Sequence, residues 1–201
     1  MNSPARRATR DDLPRIASTL GAAFSDYPWT RWTVSEPDHE ARVAELQRLY
    51  VEHVALPHGT VWVDDEVTAV AAFLPPVLPE LPEDVMERIA ALQGDDGLAR
   101  QAAADAAVAA RATEIPDDTR EVCSQAWVLA TVGVHPDHRG AGLGSSVIDA
   151  GLADLEESMA SCTLQTSDER NVPFYERLGF AVTTVVEVPG GPTVWSMLRA
   201  S

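Results

Sequence analysis

The chain has 201 residues, of which 45% are hydrophobic, and its formal net charge at pH 7 is -16. This length and apolar content predict one domain over residues 1–201 with a sizeable core, and no apolar run is long enough to cross a bilayer. The 31 acidic residues argue against nucleic acid as a partner, because they would repel its phosphate backbone. Charges without a following apolar segment in residues 1–10 predict a chain with no signal peptide, and hence a cytoplasmic protein without membrane partners.

The first part of the chain alternates helical and strand patterns. Four prolines between Pro75 and Pro82 end the last of these strands, because proline cannot donate a hydrogen bond to a neighbouring strand. The acidic turn 64–66 predicts that the last two strands form an antiparallel hairpin. In order, the predicted elements are a strand near 5–8, a helix from about Asp11, a helix near 38–55 and strands at 60–64 and 67–74.

Residues 75–121 form a predicted helical insertion. Two helical segments, at about 83–93 and 98–113, are followed by Pro116, which closes the insertion. No linker is long enough to indicate a second domain, so we expect the insertion to be an appendage on the same core.

The rest of the chain has the pattern of an α/β fold, in which the strands of one sheet accompany one long helix. Cys123 and Cys162 both fall in predicted strands, lack metal-ligand spacing and are expected to be buried free thiols. The predicted elements are a strand at 122–134, a helix from Gly144 to about Ser158, a strand at 161–165, a short helix at 169–178 and a hairpin of strands 180–188 and 193–199.

A basic, glycine-rich turn follows the predicted strand 122–134 and opens the long helix. Glycines without side chains let the backbone approach an anion closely, and the unpaired amides at a helix start point toward it. Arg139 adds a fixed positive charge. The glycine spacing, G-x-G-x-G from Gly140, does not fit the dinucleotide fingerprint, and no lysine follows Gly144 as a P-loop would require. An ordinary glycine-rich turn remains the alternative.

A second segment, residues 165–180, carries the pattern N-x-x-F-Y-x-x-x-G-F from Asn171 to Phe180. Together with R-x-x-G-x-G from Arg139, it resembles the signature of the GCN5-related N-acetyltransferase (GNAT) family, and the likeness extends over most of the chain outside 75–121. The resemblance implies a GNAT fold with a mixed central β-sheet flanked by helices, and acetyl-CoA as cosubstrate without a metal. It also implies a backbone bulge near Val132–Val134 whose amides face the cosubstrate.

The resemblance implies roles for individual residues. Tyr175 is the expected catalytic acid, since a phenol with an ordinary pKa of about 10 stays protonated at pH 7 yet can donate a proton to a departing thiolate. Tyr27, Trp32 and Gln165 are the expected contacts to the acceptor. The expected cosubstrate-binding residues are Val132, Gly133, Val134, Arg139, Gly140, Ala141, Gly142, Leu143, Gly144, Ser145, Asn171 and Phe174.

The implied reaction is direct acetyl transfer to the primary amine of a small molecule, such as an aminonucleoside antibiotic. An acetyltransferase acting on a polyamine or a peptide N-terminus, and a non-catalytic acetyl-CoA sensor, are the alternatives. Gln165 cannot accept a proton usefully, so the general base is left open between a water, a backbone relay, Asp26 and His53. Aromatic residues between the first two helices predict an aromatic acceptor pocket. Either a monomer or a homodimer fits the sequence.

Overall fold

A computed structural model describes residues 5–201. Seven β-strands form its framework. Their positions are close to those that the sequence predicts, except that the first residues of the predicted strand 122–134 are helical. The strands are β1 (Arg6–Arg7), β2 (Thr60–Val63), β3 (Ala69–Leu74), β4 (Trp127–Val134), β5 (Cys162–Thr166), β6 (Ala181–Glu187) and β7 (Thr193–Arg199).

Helices cover both faces of the strands. Short 3-10 turns precede α1 and α8, and a π-helical turn at Val51–Ala55 continues α3. The α-helices are α1 (Leu13–Phe24), α2 (Pro28–Thr33), α3 (His39–Tyr50), α4 (Leu56–His58), α5 (Glu83–Ala112), α6 (Asp117–Gln125), α7 (Leu143–Glu157) and α8 (Val172–Arg177).

All seven strands belong to one mixed sheet in the order β1-β2-β3-β4-β5-β7-β6. Neighbouring strands are antiparallel except β4 and β5, which are parallel. The predicted hairpins β2–β3 and β6–β7 are both present. This arrangement confirms the predicted α/β class with a mixed central sheet flanked by helices.

The core lies on both faces of β3, which is buried along its whole length. On one face Phe73 packs with Val147, Ile148 and Leu152 of α7. On the other face Val70 and its neighbours pack with α1 and the π-helical turn. A strand covered on both sides needs a continuous apolar run, which is the pattern of residues 69–74.

The prediction of one long strand over residues 122–134 is wrong in its first part. Residues 117–125 form α6, with Pro116 at its N-cap and two aspartates in its first turn, a pattern that favours a helix start. Cys123 therefore lies in a helix and is only half-buried, whereas Cys162 is buried in β5 as predicted. Both thiols are free.

The insertion contains the two predicted helical segments, joined end to end in α5. Gly94 separates them with a positive φ of 76°, a conformation that glycine adopts without steric cost. The insertion packs against α2, α3 and β6 and so covers one end of the sheet. Within residues 5–201, none of the helices combines the length and apolar character of a bilayer-spanning segment.

Candidate active site

The site is a cleft that opens where β4 and β5 part. The two strands pair only at Trp127 with Cys162 and at Val128 with Thr163, after which they diverge. The cleft has a volume of about 1400 Å³ and runs from the glycine-rich turn, past the ends of both strands, to the insertion helix.

The open edge of β4 offers backbone amides to this cleft. His135 donates its N–H to Thr68 across the β3–β4 pair, at 2.8 Å. Because hydrogen-bonded and non-bonded pairs alternate in an antiparallel ladder, the N–H groups of Val132 and Val134 point away from β3, toward the side that β5 has left. Both residues line the cleft.

The β4 edge differs from the predicted one in two details. The bulge lies at Ala130 rather than at Val132–Val134, because Thr131 and Leu129 face the consecutive residues Ala72 and Phe73. Gly133 does not line the cleft; its amide belongs to the β3 pairing, and a Cβ at this glycine would lie 2.7 Å from Leu20 of α1. Gly133 therefore lets α1 pack closely on the sheet.

The turn after β4 forms the anion-binding end of the cleft. Gly142 is the N-cap of α7 with a positive φ of 77° and no side-chain cap, so the amides of the first helical turn have no capping side chain. A Cβ on Gly144 would approach Val134 to 3.2 Å, so a side chain there would crowd the cleft. Arg139 is exposed and donates to the Ala23 carbonyl at 3.3 Å.

Most of the predicted turn residues line the cleft. Ala141 is the exception, since its exposed side chain lies outside the lining. The lining residues of the turn are Arg139, Gly140, Gly142, Leu143, Gly144 and Ser145.

Tyr175 stands in the wall of the cleft on α8, between the rings of Phe174 and Phe180 at centroid distances of 5.2 and 6.1 Å. Within residues 5–201 its hydroxyl makes no hydrogen bond, so it is free to donate to a bound group. Burial, with a smaller contribution from nearby Tyr27, raises the pKa of this phenol above its ordinary value. The hydroxyl therefore stays protonated at neutral pH.

Tyr27 connects the loop after α1 to the end of β5. Its hydroxyl lies 3.0 Å from Thr166 Oγ1 and accepts the backbone N–H of Ser167 at 2.7 Å. Asn171 Nδ2 donates to the same Thr166 hydroxyl at 3.3 Å. The ring of Tyr27 lines the cleft and meets Phe24 edge-on at 5.3 Å. This network holds the predicted residues Tyr27 and Asn171 together in the same wall as Tyr175 and Phe174.

Trp32, a predicted acceptor contact, lies away from the cleft. Its indole packs over the β6–β7 turn, where a Cβ on Gly191 would lie 2.6 Å from the ring, and it is outside the cleft lining. Trp29 lines the cleft instead, with its ring 5.6 Å from that of Trp32. The α2 helix, which the sequence does not reveal, turns Trp32 toward the hairpin. Trp195 likewise lies outside the lining.

The candidates for a general base differ in position. His53 lies outside the cleft and is 3.6 Å from Glu52. Asp26 lines the cleft but is exposed and paired with Arg31 at 3.1 Å. Gln165 is in the lining, where its amide donates to Ser196 at 3.4 Å.

The cleft contains no activated thiol among the described residues. Burial raises the pKa of Cys162 to about 12 and also raises that of half-buried Cys123. A thiol with a raised pKa is a poor nucleophile at neutral pH. No group of three or more His, Cys, Asp or Glu side chains in residues 5–201 is arranged to hold a metal.

The far end of the cleft, which we call the acceptor chamber, is the part that sequence motifs did not reveal. Its walls come from α3, α5 and β4, three elements that are distant in the chain and carry no local signature. The chamber is defined by Gln47, Tyr50, Ile89, Gln93, Val108 and Ala130.

Residues 98–182 match the family model described as an acetyltransferase (GNAT) domain. This segment therefore resembles a GNAT acetyltransferase domain. The match supports the GNAT family for the chain and confirms the predicted enzyme class, an N-acetyltransferase with acetyl-CoA as donor.

Solved structures share the GNAT fold over the full chain. A Corynebacterium glutamicum protein, described as histone acetyltransferase HPA2 and related acetyltransferase, is 24% identical with a TM-score of 0.73, covering 100% of this chain and 97% of its own. The Drosophila melanogaster polyamine N-acetyltransferase is 14% identical with a TM-score of 0.63, covering 98% and 99%. A mosquito arylalkylamine N-acetyltransferase-like protein is 13% identical with a TM-score of 0.59, again covering 98% and 99%.

Proposed function

We propose that this protein transfers an acetyl group from acetyl-CoA directly to the primary amine of a small molecule bound in the cleft. One observation carries the proposal. A single cleft joins the glycine-rich turn at one end to the acceptor chamber at the other, and the unbonded Tyr175 hydroxyl lies in its wall.

The cosubstrate end fits a diphosphate and an extended arm. Gly140 and Gly142 carry no side chains that would cover the amides at the start of α7, and Arg139 supplies a positive charge beside them. The outward-facing amides of Val132 and Val134 provide donors along the strand edge. When bound, acetyl-CoA supplies the acetyl thioester that is the electrophile of the reaction.

Tyr175 supplies the proton that the leaving thiolate needs. Its raised pKa keeps the hydroxyl protonated at neutral pH, and its missing hydrogen-bond partner leaves that proton available. The attacking amine loses its proton to solvent or to Asp26, since His53 lies outside the cleft. No covalent acetyl-enzyme forms, because both thiols are protonated at neutral pH.

For the acceptor we propose an aminonucleoside antibiotic such as puromycin. The support is the resemblance to puromycin N-acetyltransferase over most of the chain outside 75–121, together with the rings of Phe24, Tyr27 and Trp29 in the lining, on which an aromatic group could stack. Gln165, in the cleft lining, stands where that enzyme has Glu and so removes a carboxylate from the wall, whereas Trp32, outside the lining, stands where it has His. We therefore expect puromycin to be acetylated slowly, or a related antibiotic to be preferred.

The test has two parts. Release of the coenzyme A thiol is measured with acetyl-CoA and a panel of amines that includes puromycin, spermidine and a peptide with a free N-terminus. Expression in a puromycin-sensitive host then asks whether cells grow at a normally lethal dose, which is the result expected for the antibiotic. Failure to protect, together with turnover of spermidine or the peptide, would overturn the antibiotic assignment and leave the acetyltransferase.

A further inference from the structure

The acceptor chamber is nearly free of charge although the protein is strongly acidic. Ten Asp and Glu residues lie between positions 83 and 121, and three more lie in the helical stretch from His39 to Ala55. Of these thirteen, only Asp105 lines the cleft. Its carboxylate is exposed and accepts a hydrogen bond from Gln101 at 2.9 Å.

Carboxylates of α3 and of the π-helical turn that follows it form ion pairs outside the cleft. Glu45 and Glu52 both bond to Arg48, and Glu45 also bonds to Arg88 of α5 at 2.9 Å. None of these four residues lines the cleft. The ion pairs therefore join α3 to the insertion outside the chamber and leave neutral groups inside it.

The positive side chains of the cleft also lie away from the chamber. Arg139 belongs to the turn before α7, and Arg170 follows β5 and bonds to Asp168 at 2.7 Å. Among the described residues, α3 and α5 contribute no Lys or Arg to the lining. What they contribute is the amides of Gln47 and Gln93, the Tyr50 phenol and apolar side chains.

Hydrogen bonds and close packing hold the insertion against α2 and the residues after it. The uncharged wall of the chamber is therefore fixed in position. Ser35 donates to the Gln93 carbonyl at 2.7 Å, and Arg100 donates to the Trp32 carbonyl at 2.7 Å. A Cβ on Gly97 would lie 2.0 Å from the Thr33 carbonyl, so α5 touches the α2 backbone directly.

We infer that the acceptor is a monoamine, with one ammonium group that reacts and an otherwise uncharged body that fills the chamber. The inference rests on the proposed acetyltransferase function. Among the carboxylates of α3 and α5, a second ammonium in this chamber would find only Asp105, which is exposed and already bonded to Gln101, so it would lack a buried carboxylate partner, which is costly. An uncharged body can pack on Ile89 and Val108 and hydrogen-bond to Gln47 or Gln93.

The experiment compares two amines of matched length, hexylamine and 1,6-diaminohexane, with the full-length protein and acetyl-CoA. Thiol release gives kcat/KM for each. We expect the monoamine to be preferred by at least about tenfold, since an unpaired buried charge costs more than the roughly 1.4 kcal/mol that a tenfold preference represents. Equal values, or a preference for the diamine, would overturn the inference.

A gain-of-function variant tests the same point from the other side. Gln47→Glu places a carboxylate in the chamber and should raise the diamine-to-monoamine ratio of kcat/KM at least severalfold. Gln47→Met, of similar size and uncharged, should leave the ratio below one, and Asp95→Asn, exposed outside the cleft, should leave it unchanged. An unchanged ratio in a folded Gln47→Glu protein would contradict the inference.

The two proposals fail in distinguishable ways. If acetyl-CoA releases thiol with diamines but not with monoamines, the acetyltransferase stands and the monoamine inference falls. If no amine releases thiol although acetyl-CoA raises the melting temperature, both fall and a binding protein without transfer activity remains.

Discussion

The two ends of the cleft are built in different ways. The cosubstrate end consists of backbone, in one continuous turn whose glycines leave the amides uncovered. The acceptor end consists of residues from α2, α3, α5 and β4, brought together only by the fold. The cosubstrate end therefore has a recognisable sequence motif, whereas the acceptor end has none. Substitutions should also have different effects at the two ends. At the cosubstrate end they should act through the backbone conformation, and at the acceptor end through side-chain chemistry.

Gly142→Val should have the largest effect on the cosubstrate end. This residue has a φ of 77°, so a β-branched side chain strains the turn that starts α7. We expect loss of acetyl-CoA binding, measured as loss of the rise in melting temperature that acetyl-CoA gives the wild type. Gly190→Val is the matched control, because Gly190 also has a positive φ of 70° but lies in the β6–β7 turn outside the cleft. Retained binding in Gly142→Val would show that the turn does not hold the cosubstrate.

Tyr175→Phe removes a proton donor without changing the shape of the wall. We expect kcat to fall by roughly 10²-fold or more, because a general acid contributes about that factor. The affinity for acetyl-CoA, measured by titration, should stay close to the wild-type value. Unchanged turnover would show that solvent protonates the thiolate.

Tyr27 lies between the two ends, and its hydroxyl ties the loop after α1 to β5. Tyr27→Phe removes contacts to Thr166 and Ser167, so the free energy of unfolding should fall by about 1–2 kcal/mol in denaturant titrations. We expect kcat to fall by about tenfold through displacement of the wall that carries Tyr175. Thr166→Val provides a double-mutant cycle, and additive losses would contradict a direct Tyr27–Thr166 interaction.

Trp29 and Trp32 form a matched pair at the acceptor end. Trp32→Phe should lower the free energy of unfolding by about 1 kcal/mol through lost packing on Gly191, with no change in KM for the amine. Trp29→Phe should change that KM severalfold, because Trp29 lines the cleft. Steady-state kinetics of both variants checks this, and an altered KM only in Trp32→Phe would reverse the assignment.

The pH dependence of kcat should show the smallest effect. Because burial raises the pKa of Tyr175, its acid form persists as the pH rises through about 10, the ordinary phenol value. We therefore expect no decrease of kcat between pH 7 and about 9.5 in a pH–rate profile. A decrease with a midpoint within this range, absent in Tyr175→Phe, would show that the Tyr175 phenol loses its proton too early to act as the acid.

Prediction from sequence succeeded where one residue type is required by local geometry. Gly142 must adopt a positive φ, and the apolar spacing of Val147, Ile148 and Leu152 requires a buried helix face. It failed where neighbouring elements decide the outcome. Val122 and Cys123 are residue types that also occur in strands, but the helix that starts after Pro116 makes them part of α6. The aromatic cluster predicts Trp32 in the pocket, whereas the short α2 helix turns its ring toward Gly191.

Direct transfer of acetyl to an amine is tested most directly by a single turnover. The protein is loaded with acetyl-CoA labelled in the acetyl group and mixed with hexylamine, and both the protein mass and the amine product are followed. The account predicts thiol release that depends on the amine, label in the N-acetyl product and none retained on the protein. Label retained on the protein, or thiol release at the same rate without amine, would contradict it.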